Sequence, residues 1–289
     1  MNISGKTKIF GVIGDPISHT LSPTIQNSIF HHFDLDSIFL AFNVNAKELE
    51  TSIKAIRSLG ISGLNVTMPH KTDVISYLDK IDETARFLNS VNTIVNNENK
   101  LIGYSTDGIG AVNALIDNGV KLASSNVVLL GAGGAGRAIA FSLVEKVSNL
   151  VILNRDHKKA KKLESNLNLK FKQNISAESL STNSIQKNLR NSDVLINATN
   201  VGMISNKKQS IVDPNLITPN LTVMDIVYNP LETKLLADAR EVGAKTINGI
   251  DMLIHQGAAS FELWTGKKAD VAVMKNAVLK QISSVGVVE

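Results

Sequence analysis

A glycine-rich turn carries the most specific chemistry in this sequence. Gly131-Ala132-Gly133-Gly134-Ala135-Gly136 follows directly on the apolar run 127–130 and fits the pattern G-x-G-x-x-G, with a helical pattern behind it. Glycines at those positions allow a tight turn, the close approach of a pyrophosphate and the packing of helix on strand, while the helix N-terminus faces the anion. Alone, such a hexapeptide is a weak signal. Between a strand and a helix, with a second strand beyond, it points to dinucleotide binding rather than to a bare turn. Sites for NAD usually place Asp or Glu roughly 20 residues on, at the end of that second strand. Here the place holds Asn154-Arg155, followed by Asp156, His157, Lys158 and Lys159. An Arg can stack on adenine and pair with a 2′-phosphate through its fork of donors, which favours NADP. Asp156 argues the other way by placing a carboxylate near that phosphate. A solvated basic helix start would leave the same pattern.

A hydride-carrying cofactor needs a second set of groups to hold an alcohol or carbonyl and to supply a proton. Polar clusters suited to this gather in the first third of the chain. Thr20-Leu21-Ser22-Pro23 puts two hydroxyls two residues apart at a helix start, near backbone N–H groups suited to an anion, although Ser22 could equally be a plain N-cap. The apolar run 61–66 ends in Asn65, Thr67, Pro69, His70 and Lys71. Ser90-Val91-Asn92-Thr93 and Ser105-Thr106-Asp107-Gly108 follow, and loops at strand ends are where sites in open sheets collect. Taken by itself, Lys71 reads as a surface lysine.

The elements that would position these groups alternate from end to end. Strands are expected at 8–13, 38–44 and 61–66, with helices from Ser22 through Phe30 and over 46–59, and a hairpin of 90–95 with 101–104. Leu49, Ile53, Ile56 and Leu59 form one apolar helical stripe that Gly60 closes. A second unit begins near Asp107, with a helix at 110–118, a strand at 127–130 and a helix at 137–147. Next come a strand at 150–153, a helix at 157–167 and a weak strand near Phe171. Later strands are read at 193–197, 221–226 and 244–247, with a helix at 231–242, and the polar stretch 176–191 reads as a loose-ended helix without chemistry. Two helices, 252–264 and 271–282, close the chain. Strands alternating with helices imply βαβ crossovers and a parallel sheet.

Composition sets the outer bounds. The chain has 289 residues, 43% hydrophobic and 19% charged, which suits two globular domains rather than a disordered or coiled-coil chain. A net charge of +4 with 4% aromatic residues offers neither a basic stripe nor stacking platforms for nucleic acid. The absence of cysteine excludes disulfides, thiolate metal sites and cysteine nucleophiles. No apolar run approaches the roughly 18 residues needed to span a membrane, and no secretory leader is evident. A cytoplasmic protein without membrane partners is expected, and no His, Asp and Glu spacing suggests a metal site.

Beyond these readings the chain resembles the shikimate dehydrogenases over nearly its whole length. The likeness rests on Asn65-Val66-Thr67-Met68-Pro69-His70-Lys71, Ser90-Val91-Asn92-Thr93, Tyr104-Ser105-Thr106-Asp107-Gly108 and the glycine turn with Arg137-Ala138. It continues in Asn197-Ala198-Thr199, Tyr228-Asn229-Pro230-Leu231-Glu232-Thr233 and Asn248-Gly249-Ile250-Asp251-Met252-Leu253-Ile254-His255-Gln256. That family reduces 3-dehydroshikimate to shikimate with NADPH, reversibly, on the route to chorismate and the aromatic amino acids. The resemblance implies an α/β fold in which an N-terminal α/β substrate domain joins a Rossmann-type doubly wound NADP-binding domain, with a cleft between them. The substrate domain would cover 1–107 and be completed by 251–289, with the cofactor domain at 108–250. It further implies a catalytic pair, Lys71 and Asp107, and a substrate carboxylate held by Thr20, Ser22 and Tyr228. Thr67, Asn92 and Gln256 would meet the ring hydroxyls. The cofactor would lie on the turn Gly131 to Gly136 and on Asn154, Arg155 and Lys159, with Thr199, Val201, Met203, Ile226 and Gly249 completing its site. His19 and His70 receive structural roles.

Three departures from the family pattern stand out. Thr20 replaces the usual Ser, adding a β-methyl that stiffens χ1 and bears on quinate discrimination. Asp156 replaces the usual Thr, losing a hydroxyl donor and adding a negative charge, which leaves NAD as a weaker alternative cofactor. Asn200 stands where Ser is usual, with no evident consequence. The competing expectations are a dual-specificity quinate/shikimate dehydrogenase using NAD or NADP and, remotely, a non-catalytic NADP-binding regulator. A monomer or homodimer is expected, with shikimate and 3-dehydroshikimate as small-molecule partners.

Overall fold

In the computed structural model, which describes residues 3–173, 175–203 and 209–284, the chain divides into two units. One is Met1–Thr106 with Ile254–Glu289, the other Asp107–Leu253. The first unit opens with β1 (Lys8–Gly14), α1 (Ser22–His32), β2 (Ser37–Asn43), α2 (Leu49–Ser58) and β3 (Gly63–Val66). It continues through β4 (Lys80–Ile81), α3 (Glu83–Leu88), β5 (Thr93–Asn97) and β6 (Lys100–Tyr104). These strands form a six-stranded sheet in the order β2-β1-β3-β5-β6-β4. β1 runs parallel to β2 and β3, whereas β5 is antiparallel to β3 and β6. Leu49, Ile53 and Ile56, spaced to share one helical face, pack with Ile13, Leu64, Val66 and Ile94 of the sheet. Each such fully buried aliphatic side chain contributes roughly 1.5–3 kcal/mol.

The second unit contains α4 (Asp107–Asp117), β7 (Asn126–Leu130), α5 (Gly134–Leu143), β8 (Asn149–Asn154), α6 (His157–Phe171) and β9 (Ile175–Ser179). α7 (Thr182–Leu189), β10 (Val194–Asn197), β11 (Thr222–Asp225), α8 (Lys234–Glu241) and β12 (Lys245–Ile247) follow. All its strands are parallel, in the order β12-β11-β10-β7-β8-β9. Leu129 and Leu130 of β7 and Leu195 and Ile196 of β10, neighbours that face opposite sides of the sheet, are all fully buried, as expected of a sheet covered on both faces. The winding direction reverses between β7 and β10, and such a switch point opens a crevice at the carboxyl ends of the strands. The glycine turn leaves β7 at that crevice. This is the doubly wound order of a dinucleotide-binding fold.

α9 (Gly249–Thr265) and α10 (Val271–Ser284) close the chain. Phe261 and Trp264 tie the later turns of α9 to the first unit. Phe10 lies 5.1 Å from Phe30 and 5.2 Å from Trp264 between ring centroids, and Trp264 Nε1 donates to the Ile94 carbonyl at 3.0 Å. Among the described residues no helix is long and apolar enough to cross a membrane.

Several local expectations need correction. The strand placed near Phe171 is the end of α6, where Phe171 packs edge-on against Phe141 at 5.2 Å; Lys172, at φ +53°, ends the helix in left-handed geometry. The strand lies instead at 175–179, overlapping the start of the stretch read as helix, and alternates with Ile175 and Ala177 buried. The helix in that stretch begins only at Thr182, where Ser181 and Ser184 form a capping box. α5 ends at Leu143, short of 147, because the chain turns at Lys146 and returns to the sheet through Ser148 N to Ser125 O. Ser22 is not an N-cap. Leu21 holds that position and no side chain caps it.

Candidate active site

In the second unit a cavity of about 540 Å³ lies over the switch point. Of the cofactor residues expected from sequence, Gly131, Gly133, Asn154, Arg155, Thr199 and Val201 line it. The glycines divide the work as their chemistry requires. Gly131 adopts φ +105°, and a Cβ there would come within 2.9 Å of the Ala198 carbonyl oxygen, so the turn can pass the end of β10 only without a side chain. A Cβ on Gly136 would stand 2.1 Å from Gly131 O, which lets α5 pack onto its own turn. At Gly133 and Gly134 a Cβ would meet nothing within 4 Å. That open cradle lies at the head of α5, whose first turn has no side-chain cap, so its N–H groups and helix dipole are available to an anion. The cradle fits a pyrophosphate.

Asn154 fastens the turn to the end of β8: its Oδ1 accepts from Ala132 N at 3.0 Å and its Nδ2 donates to Asp156 O at 3.0 Å. Asp156 is the N-cap of α6, accepting from Lys159 N at 3.3 Å, with its other oxygen 3.9 Å from Lys159 Nζ. The carboxylate that departs from the family pattern therefore serves the helix start, and Arg155 beside it is exposed. Ala135 lies in the first turn of α5, and Lys159 in that of α6. Met203 is 44% exposed, while Gly249 approaches Ile226 so closely that a Cβ would meet the Ile226 carbonyl at 2.3 Å. Ala198, Asn200 and Ile211 also line the cavity, as do Leu180, Ser181, Thr182 and Ile185, four residues that the sequence pattern does not single out. Their signal, the end of a strand beside β8, was lost when that strand was misplaced.

In the first unit a buried polar cluster surrounds Asn92. Its Oδ1 accepts from Thr106 N at 2.8 Å and Thr93 Oγ1 at 3.0 Å, while its Nδ2 donates to Thr106 Oγ1 at 2.9 Å and Gln256 Oε1 at 3.2 Å. Asn65 Nδ2 and Thr93 Oγ1 both reach Ser260 Oγ, at 3.0 and 2.8 Å. Ser260 lies one helical turn beyond Gln256 on α9 and shares its face, the spacing that could have revealed it. The cluster thus brings together Asn92 and Gln256. It also fixes Thr106, the residue directly before Asp107 at the first position of α4.

The other expected residues sit on neighbouring loops of the same unit or on the second one. Thr67 continues β3, donating through its N–H to Ile13 O at 2.9 Å, and Lys71 O accepts from Val91 N at 2.8 Å. Thr20 Oγ1 accepts from Ser22 N at 3.2 Å and donates to Ser22 Oγ at 3.1 Å, which leaves the Ser22 hydroxyl hydrogen directed elsewhere. Tyr228, on the second unit, is 40% exposed. His70 is fully buried with Nε2 2.6 Å from Val44 O, so this nitrogen carries the hydrogen and the ring pins one loop to another. His19 is exposed.

Comparison with known proteins decides the family. Residues 12–94 match the shikimate dehydrogenase substrate binding domain, 114–230 the shikimate / quinate 5-dehydrogenase family, and 249–279 the shikimate 5′-dehydrogenase C-terminal domain. The shikimate dehydrogenase (NADP(+)) of Pyrococcus furiosus is 47% identical over 96% of this chain and 97% of its own length. The chain belongs to the shikimate dehydrogenase family. A crystal structure of a shikimate dehydrogenase in complex with NADP+ superposes with a TM-score of 0.89 at 41% identity, covering 97% of this chain and 98% of the other. Shikimate 5-dehydrogenase from Listeria monocytogenes, solved with shikimate and NAD, gives 0.90 at 35% identity over 96% and 98%. Family membership agrees with the α/β architecture and with the doubly wound second unit.

Proposed function

We propose that this chain is an NADP-dependent shikimate dehydrogenase that reversibly reduces 3-dehydroshikimate to shikimate, feeding chorismate and aromatic amino-acid synthesis. The observation that carries this reading is the near full-length likeness, at 47% identity, to a relative of that name and cofactor. The nucleotide belongs to residues 108–250, the substrate to 1–107 completed by 251–289. NADPH, when bound, supplies the hydride. Gly133 and Gly134 admit its pyrophosphate, Gly131, Ala132, Ala135 and Gly136 shape the turn, and Asn154 anchors it. Arg155 and Lys159 take the 2′-phosphate, a pairing in which a planar fork and a point charge complement each other. Thr199, Val201, Met203, Ile226 and Gly249 border the nicotinamide.

Reduction builds negative charge on the carbonyl oxygen. The Lys71 ammonium stabilises that charge and delivers the proton. Asp107 holds the ammonium in position and binds a substrate hydroxyl. Thr67, Asn92 and Gln256 bind ring hydroxyls, and the amide orientations of Asn92 and Gln256 are set by the cluster with Thr93, Thr106 and Ser260. Thr20, Ser22 and Tyr228 hold the carboxylate through neutral O–H donors. The same reading places the enzyme in the cytoplasm, as a monomer or homodimer. Steady-state rates with shikimate and with quinate, each with NADP and NAD, test it. Turnover confined to shikimate with NADP is expected, and comparable quinate or NAD turnover would move the assignment to a dual-specificity enzyme.

A further inference from the structure

Asp225, at the end of β11, has no solvent exposure. A carboxylate taken out of water costs several kcal/mol unless donors converge on it. Three do. Thr233 Oγ1 donates to Oδ2 at 2.7 Å, while Val227 N and Asn197 Nδ2 donate to Oδ1 at 3.1 and 3.0 Å. Asn197, opposite Asp225 in the register of β10 and β11, then extends the arrangement. Its Nδ2 also donates to Val201 O at 3.1 Å, and its Oδ1 accepts from Thr199 N at 3.1 Å and Thr199 Oγ1 at 2.7 Å. The Thr199 hydroxyl accepts in turn from Val201 N at 3.2 Å. Gly202, at φ +99°, passes so close that a Cβ would sit 3.3 Å from Thr233 Cβ and 3.8 Å from Asp225 Oδ2. One carboxylate therefore reaches two loops: 198–203, which carries Thr199, Val201 and Met203, and 226–230, which carries Ile226 and Tyr228.

We propose that Asp225 is a positioning residue for the nicotinamide end of the cofactor site, fixing both loops that border it through Asn197, Val227 and Thr233. The inference rests on the assignment of those loops to the nicotinamide. A carboxylate suits the task because all three partners donate and only an oxygen pair can accept from both sides at once. An Asn at 225 retains most of this. Its single oxygen can still accept from Val227 and Asn197, and its NH2 can donate to Thr233 Oγ1, which then accepts instead. Ala retains none of it. The groups that meet Asp225 from β10, from the segment after β11 and from the head of α8 are an amide, a backbone N–H and a hydroxyl, none of which titrates.

Calorimetric titration of the full-length protein with NADP and with adenosine 2′,5′-bisphosphate, which lacks the nicotinamide, tests this without requiring turnover. In Asp225→Ala the affinity for NADP should fall about tenfold or more, since Asn197, Val227 and Thr233 all lose their buried acceptor and neither loop keeps its fixed geometry. Affinity for the bisphosphate should be unchanged, and Asp225→Asn should restore NADP binding to within about threefold of the parent. Unchanged NADP affinity in a folded Asp225→Ala protein, or equal losses for both ligands, would overturn the proposal. Should that variant not fold, Thr233→Val, which removes one donor and keeps the shape, is judged by the same comparison. Absence of shikimate turnover in the parent protein would defeat the functional reading instead, and the binding comparison would still decide the role of Asp225.

Discussion

Two glycines of the turn, Gly133 and Gly136, should respond in opposite ways to the same added methyl group. Gly133 has φ −75° and ψ −167°, an extended conformation that any residue adopts, and a Cβ there meets nothing within 4 Å. Gly133→Ala should therefore fold normally and even gain up to about 1 kcal/mol by narrowing the unfolded ensemble. Its methyl, however, projects into the cradle assigned to the pyrophosphate. KM for NADP should rise about tenfold or more, corresponding to about 1.4 kcal/mol of binding lost, with kcat changed far less because ground and transition states lose the contact alike. Gly136→Ala places its methyl 2.1 Å from a backbone oxygen, so the turn or α5 must shift. Overpacking of this kind costs about 1–3 kcal/mol. At about 2–4 °C per kcal/mol for a domain near this size, the melting temperature should fall by about 2–12 °C. Thermal melts beside steady-state kinetics separate the two. Equal melting losses in both variants, or an unchanged KM in Gly133→Ala, would refute this division of labour.

Arg155→Ala should raise KM for NADP about tenfold while leaving KM for NAD nearly unchanged, because only the 2′-phosphate loses a partner; parallel losses for both cofactors would point to an adenine-stacking role alone. Burial lifts the Asp225 carboxyl from its usual 3.8 to about 6, against the lowering effect of its three donors. The fold therefore prefers the neutral acid by about 3 kcal/mol at about 1.4 kcal/mol per pKa unit. This stabilising contribution is complete below pH 3.8 and is lost as pH rises through about 6. Asp225→Asn cannot ionise, so its melting temperature relative to the parent should rise between pH 4.5 and pH 8; a constant difference would show that Asp225 does not titrate as its burial implies.

The sequence exposed the architecture best where its signals were local. The glycine turn, the β7–α5 junction and most of the apolar stripe of α2 were legible because each needs particular residue types at fixed spacing, but Leu59, expected on that stripe, follows the helix and is exposed. The strand at 175–179 was not, since Ser176 and Glu178 face outward and no glycine or proline separates it from α6. The site was legible only in part. Thr20 and Ser22 stood out as paired hydroxyls, but Lys71 and Asp107 acquired roles through resemblance alone. Thr93, Ser260 and Asp225 act by meeting residues distant in sequence, and such convergence appears only once the chain is folded. Ser22 shows the converse: a residue ideal for capping by type proves to be inside the helix, with Thr20 bonded to it.

The central claim is that Lys71 supports hydride transfer between shikimate and NADP. The most direct measurement follows the near-ultraviolet absorbance of NADPH after shikimate is added to the purified protein with NADP, for the parent and for Lys71→Ala. NADPH should form with the parent, and the variant should turn over well over tenfold more slowly, of order 1.4 kcal/mol or more of lost transition-state stabilisation, while binding NADP as tightly. No NADPH from the parent, or equal rates from the two proteins, would contradict it.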